Sequence, residues 1–150
     1  MAETGSREIV EQYIKELFGH TRDADLTAYV HPDFVEDWPQ SGERIRGTDN
    51  QRAVRVNYPD AGPIEGGLNR LVGSEDRWVA TPSFTLLKIV GTGDVYTATG
   101  WGTYPNGDTY HVVAIMELRS GRIARQTTFF AAPFEAADWR KEWVESIPSS

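Results

Sequence analysis

The chain has 150 residues, 15 of them basic and 22 acidic, a formal net charge of −7, and no cysteine. Without cysteine there is no disulfide, thiolate nucleophile, thiolate zinc site or iron–sulfur cluster, and an acidic chain with scattered cations lacks the concentrated positive charge that binds nucleic-acid phosphates. No apolar run approaches the roughly 18 residues of a membrane span, no signal-peptide core is present, and neither a GxGxxG nor a Walker loop occurs. One small cytoplasmic domain is therefore expected, without a bound cofactor, nucleic acid or membrane as partner.

From Ser6 the spacing of Ile9, Val10, Tyr13, Ile14, Leu17 and Phe18 predicts a first helix, with Glu8 and Glu11 near its positive end. A second short helix is expected over residues 23–30, interrupted at Pro32, and then a short strand over 34–38, ended by Pro39. Thr48 or Asp49 can cap a third helix over 50–58; the Pro- and Gly-rich stretch 59–67 reads as a loop. Beyond it the period changes to two, predicting strands over 68–73, 77–81, 83–90, 95–104, 109–119 and 123–131. Turn residues separate them: Gly91-Thr92-Gly93-Asp94, Pro105-Asn106-Gly107-Asp108 and Ser120-Gly121. A final short helix is expected over 135–147, carrying Trp139 and Trp143 four residues apart.

Helices first and then a meander of strands is an α+β pattern, and argues against alternating βαβ units. A curved sheet of this kind can wrap around the helices and leave an open-ended cavity. On the 109–119 strand one face carries Tyr110, Val112, Ala114, Met116 and Leu118 and is assigned to the cavity; the other carries His111, Val113, Ile115, Glu117 and Arg119. Two partly apolar faces with too few helices to cover both predict a homodimer packed through the outer face.

Tyr13, the segment Phe34-Val35-Glu36-Asp37-Trp38-Pro39-Gln40-Ser41-Gly42-Glu43-Arg44-Ile45-Arg46-Gly47 and the strand end Met116-Glu117-Leu118-Arg119-Ser120-Gly121-Arg122-Ile123 resemble the nuclear transport factor 2-like superfamily, in the branch of SnoaL-like polyketide cyclases and steroid delta-isomerases. The resemblance covers residues 7–132, leaving 135–147 as a helical tail. It implies a cone-shaped, curved, largely antiparallel sheet wrapped around three N-terminal helices, commonly dimeric. It also implies a base at Asp37, an oxyanion donor at Tyr13 and a pocket-wall aromatic at Phe130. The family's protonated acid falls at Ala114 or Ile115, neither of which donates a proton, and Gln126 on the next strand is a neutral substitute.

Each of these residues has a plainer reading beside the functional one. Asp37, between Val35 and Trp38, gains base strength if an apolar cavity desolvates it; otherwise it caps a turn or pairs with Arg44 or Arg46. Tyr13 stabilises a developing oxyanion or merely packs, its hydroxyl satisfied locally. Gln126 orients a ligand or bonds another core polar group. Trp38, Tyr104, Ala114, Met116 and Phe130 are the expected ligand-lining residues, Trp38 foremost because it is tethered to Asp37. His20, His31 and His111 share no ligand spacing, so no metal site is expected. The resulting expectation is a small-molecule pocket that abstracts a proton from an apolar carbonyl or polyketide-like substrate, as an isomerase or cyclase does. The alternatives are a non-catalytic binder of a small hydrophobic ligand and a protein-interaction module.

Overall fold

The structure is a computed structural model that describes residues 5–17, 24–57, 79–80, 84–103 and 109–148. The helical spacing at the start of the chain forms α1, Ser6–Leu17, which buries Val10, Tyr13 and Ile14. Arg7 fastens this helix to the sheet by donating to the Ile89 carbonyl at 3.0 Å. Alternating apolar residues then build β1 (Val30–Trp38), β2 (Glu43–Arg46), β3 (Val79–Ala80), β4 (Phe84–Thr92), β5 (Val95–Thr103), β6 (Thr109–Arg119) and β7 (Arg122–Ala131). A second helix, α2 (Gly47–Val56), follows β2 directly and packs beside β1 and β2.

Among the described residues seven strands join one mixed sheet in the order β2-β1-β7-β6-β5-β4-β3. Every pairing is antiparallel except β1 with β7, which run parallel. Consecutive strands from β4 to β7 are therefore neighbours, while β1 reaches β7 across the length of the chain. The β6 alternation sends Val112, Ala114, Met116 and Leu118 inward, each at most 7% exposed. They meet α1, Leu26, Phe34, Ile89, Tyr96 and Ile123 in the hydrophobic core. The β6–β7 turn places Ser120 at φ 54° and Gly121 at φ 75°, the double left-handed pair that closes a tight hairpin with the sheet's own twist.

Two expected helices are corrected. Among the described residues there are two α-helices, not three ahead of the sheet. The segment expected to be helical over 23–30 makes only a 3-10 turn, Thr27–Tyr29, before Val30 opens β1 with φ −113° and ψ 153°. Pro32 explains this: it offers no N–H to a helix, and it forces the residue before it into extended backbone. The expected helix over 135–147 is likewise reduced to one 3-10 turn, Asp138–Arg140. Trp139, Trp143 and Ile147 are 76%, 74% and 92% exposed; a helix of that length is marginal without a surface to bury its apolar side. The 109–119 strand has the expected bounds, and β1 is longer than expected because it takes in Val30 to Asp33. The expected 68–73 strand, the 59–67 loop and the Asn106-Gly107 turn lie outside the described residues.

Candidate functional site

Among the described residues the buried polar side chains of the inner sheet face gather at one place, and the strand register builds that place. Along β1 the inward positions are Phe34, Glu36 and Trp38; along β7 they include Gln126, Thr128 and Phe130. The parallel pairing sets Glu36 opposite Gln126, and Thr128 follows two residues on, on the same face. Across β6, Met116 pairs with Gln126 and Ala114 with Thr128, so two apolar side chains stand beside the polar ones. Tyr13 descends from α1. Gln51, the one buried residue of α2, enters from the other side.

These side chains form a continuous hydrogen-bonded cluster around the Glu36 carboxylate. Gln51 Nε2 donates to Glu36 Oε1 at 3.0 Å and to the Tyr13 hydroxyl at 2.8 Å. The Tyr13 hydroxyl donates to Gln126 Oε1 at 2.5 Å. Gln126 Nε2 donates to Thr128 Oγ1 at 2.9 Å and to Glu36 Oε2 at 3.3 Å. Thr128 Oγ1 and Trp38 Nε1 each donate to the same oxygen, at 2.9 and 2.8 Å. Glu36, Gln51, Gln126 and Thr128 are at most 5% exposed, and Tyr13 is 0% exposed. Burying a carboxylate is costly unless donors replace its water, and here four side chains do so. Burial raises the Tyr13 phenol pKa far above its ordinary value, and the Glu36 charge pushes it the same way. Tyr13 therefore remains protonated.

Of the expected site residues, Tyr13 and Gln126 are brought together, and Trp38 joins them through its indole N–H. Phe130 lies edge-on to Trp38, with ring centroids 5.5 Å apart. Ala114 and Met116 are buried on the same sheet face. Tyr104 lies outside the described residues. Asp37 is not brought to the cluster. As the residue after Glu36 it projects from the opposite face of β1, where it registers with Arg44 of β2 and accepts two bonds from that guanidinium, at 2.6 and 2.9 Å. Those bonds hold its carboxyl below the usual carboxylate range. The plainer of its two sequence readings, pairing with Arg44, is the one the geometry contains.

Sequence reasoning overlooked Glu36, Gln51 and Thr128 as members of one site. Glu36 had a usable signal: it shares the parity of Phe34 and Trp38, but Val35 is apolar too and blurred the alternation. Gln51 also had one. The apolar side chains of α2, Val54 and Val56, are exposed, so the helix has no apolar stripe and must turn a polar side chain inward. His31 lies apart from this cluster, in an exposed group with Asp33 and Arg119. Among the described residues no three histidine, aspartate or glutamate side chains gather as metal ligands, and no helix is long and apolar enough to cross a membrane.

No sequence-family model and no curated protein matches the chain. Solved structures do. An NTF2-like protein from Burkholderia xenovorans is 29% identical, with 95% of this chain and 98% of that one covered and a TM-score of 0.69. A candidate ketosteroid isomerase from Kribbella flavida is 18% identical, over 98% and 96% of the two chains, with a TM-score of 0.66. A de novo designed protein with a curved β-sheet shares the fold at 15% identity and a TM-score of 0.56, over 95% and 93%. With near-complete coverage in both directions, the chain has the fold of the nuclear transport factor 2-like proteins.

Proposed function

We propose that this protein binds a small, largely apolar molecule against the inner face of the sheet and moves a proton on it without a cofactor, with Glu36 as the proton-accepting group. One observation carries this reading: among the described residues the inner face buries a single carboxylate, and the residues around it are a phenol, two amides, a hydroxyl and an indole. Proton removal next to a carbonyl, the shared first step of isomerisation and aldol-type cyclisation, needs a carboxylate of this kind beside apolar surface. Oε2 of Glu36 accepts from Trp38, Gln126 and Thr128 and is held in place by them; Oε1 accepts only from Gln51. Oε1 is therefore the atom that takes the proton. The role that the family resemblance attached to Asp37 passes in this reading to the residue before it. Trp38 and Phe130 supply the aromatic wall.

The likeness to a candidate ketosteroid isomerase is a likeness of fold, compatible with this chemistry and with plain binding. The saturation of Glu36 Oε2 favours a second reading, a non-catalytic binder, because that oxygen already acts as a structural anchor. Hydrogen–deuterium exchange at the acidic carbon of 2-tetralone, followed by NMR in D2O, separates the two. The enzyme reading expects the wild type to accelerate exchange, Glu36→Gln to lose at least about a hundredfold of that acceleration, and Asp37→Asn to keep it. Binding of 2-tetralone without accelerated exchange supports the binder. Loss in Asp37→Asn with retention in a folded Glu36→Gln returns the role to Asp37.

Two copies of the chain are proposed to pair through the outer sheet face. There Trp101 and Phe129 are 39% and 36% exposed, and on β6 between their strands the half-buried Val113 stands beside Phe129, with Ile115 two residues further along. Contiguous apolar surface of this kind marks an interface.

A further inference from the structure

The cluster around Glu36 has a polarity of its own, which follows from following each proton to its acceptor. The Tyr13 hydroxyl proton goes to Gln126. Both Gln51 amide protons are engaged, one on Tyr13 and one on Glu36. Both Gln126 amide protons are engaged, on Thr128 and Glu36, and the Thr128 hydroxyl and Trp38 indole protons go to Glu36. Each donor of these five side chains is thus committed, and the Arg55 guanidinium is near enough for its charge to act on Tyr13. The acceptors are not all committed. Gln51 Oε1 is buried and has no hydrogen-bond partner, although Gln51 is only 3% exposed, and Glu36 Oε1 accepts a single bond.

An amide reversal does not remove the imbalance. Turning Gln51 over would set its oxygen against Glu36 Oε1, oxygen on carboxylate, and would strip the carboxylate of a donor; the neighbouring charge fixes which way the amide points. A buried carbonyl oxygen left unpaired costs free energy comparable to a lost hydrogen bond. The cluster is therefore complementary to something that donates.

Resting on the reading of this cluster as a ligand site, we infer that it selects ligands carrying a hydroxyl or N–H group, the proton directed at Gln51 Oε1 and Glu36 Oε1, over ligands that present only a carbonyl or ether oxygen. Among these five side chains a bare ketone oxygen finds no uncommitted donor unless Tyr13 gives up Gln126. The specificity-determining residue is Gln51, whose amide both steadies Glu36 and supplies the unmatched acceptor.

Phenol, anisole and acetophenone are one-ring probes that differ in this property. NMR titrations of the full chain, read at the Trp38 indole N–H and the Gln51 side-chain amide, give their relative Kd values. Phenol is expected to bind roughly tenfold to a hundredfold tighter than the other two, the margin of one hydrogen bond to a buried charged cluster. In Gln51→Leu, or Gln51→Met if the leucine variant does not fold, the preference is expected to fall to within about threefold. Equal or tighter binding of anisole or acetophenone at the same signals overturns the inference and leaves a ligand site in place. A phenol preference that survives removal of Gln51 also overturns it. Absence of perturbation by all three probes overturns the ligand reading itself.

Discussion

At the scale of single residues, two adjacent carboxylates on β1 have opposite fates because a strand sends successive side chains to opposite faces. Glu36 is buried among donors. Asp37 meets Arg44 at the surface, and that contact depresses its pKa from the ordinary 3.8. Its contribution to stability has a definite sign in pH. A depressed folded value means the contribution is fully present above about 3.8, where both folded and unfolded forms are ionised. It is lost as the pH falls through the lower folded value. Asp37→Asn is therefore expected to lower the melting midpoint by no more than about 3 °C at pH 7, as befits a solvent-facing pair. The difference from wild type is expected to shrink steadily as the pH falls below 3.8, which thermal melts across pH check. Tyr13 has the opposite character: its phenol is pushed upward, and it contributes no titration in the range where the fold is studied.

At the scale of elements, tight hairpins hold the antiparallel part of the sheet together, and Gly91 shows how little room one of them leaves. It sits in β4 at φ 141°, where a Cβ would lie 2.2 Å from the Val95 carbonyl oxygen. Gly91→Ala is expected to destabilise the protein by at least about 2 kcal/mol, measured by urea denaturation. Much of this level was readable in the chain. The 109–119 strand and the β4–β5 and β6–β7 turns follow from alternation and turn residues alone, since both are local properties. The helix expected over 23–30 was not, because Pro32 and the pull of β1 on Val30 outweighed a short apolar spacing. The site was half legible. Tyr13 lies on the helical stripe and Gln126 on the strand face that the alternation indicates, while Phe130 was indicated only by the family resemblance and Trp38 only as the neighbour of Asp37. The parity of Glu36 was blurred by Val35, and its partners come from the parallel β1–β7 register, a contact between segments about ninety residues apart. Gln51 was hidden for a related reason: its partners are on α1 and β1, and only packing brings them together.

At the scale of the whole molecule, the two sheet faces divide the work. The inner face encloses the core and its one polar cluster; the outer face carries Trp101 and Phe129, the surface proposed to meet a second copy. Phe129→Glu puts a charge at the centre of that surface and leaves the inner cluster untouched. Sedimentation equilibrium is expected to give about twice the 16.8 kDa chain mass for the wild type and the single chain mass for this variant. In the proposed site Glu36 of β1 and Gln51 of α2 form the ligand-contacting end of the inner face. A crystal structure of the protein soaked with phenol tests it most directly. The predicted result is a phenol oxygen within about 3.2 Å of both Gln51 Oε1 and Glu36 Oε1, its ring against the Trp38 and Phe130 side chains. Phenol bound at Asp37 or on the outer face, with the Glu36 cluster closed and unchanged, would contradict it.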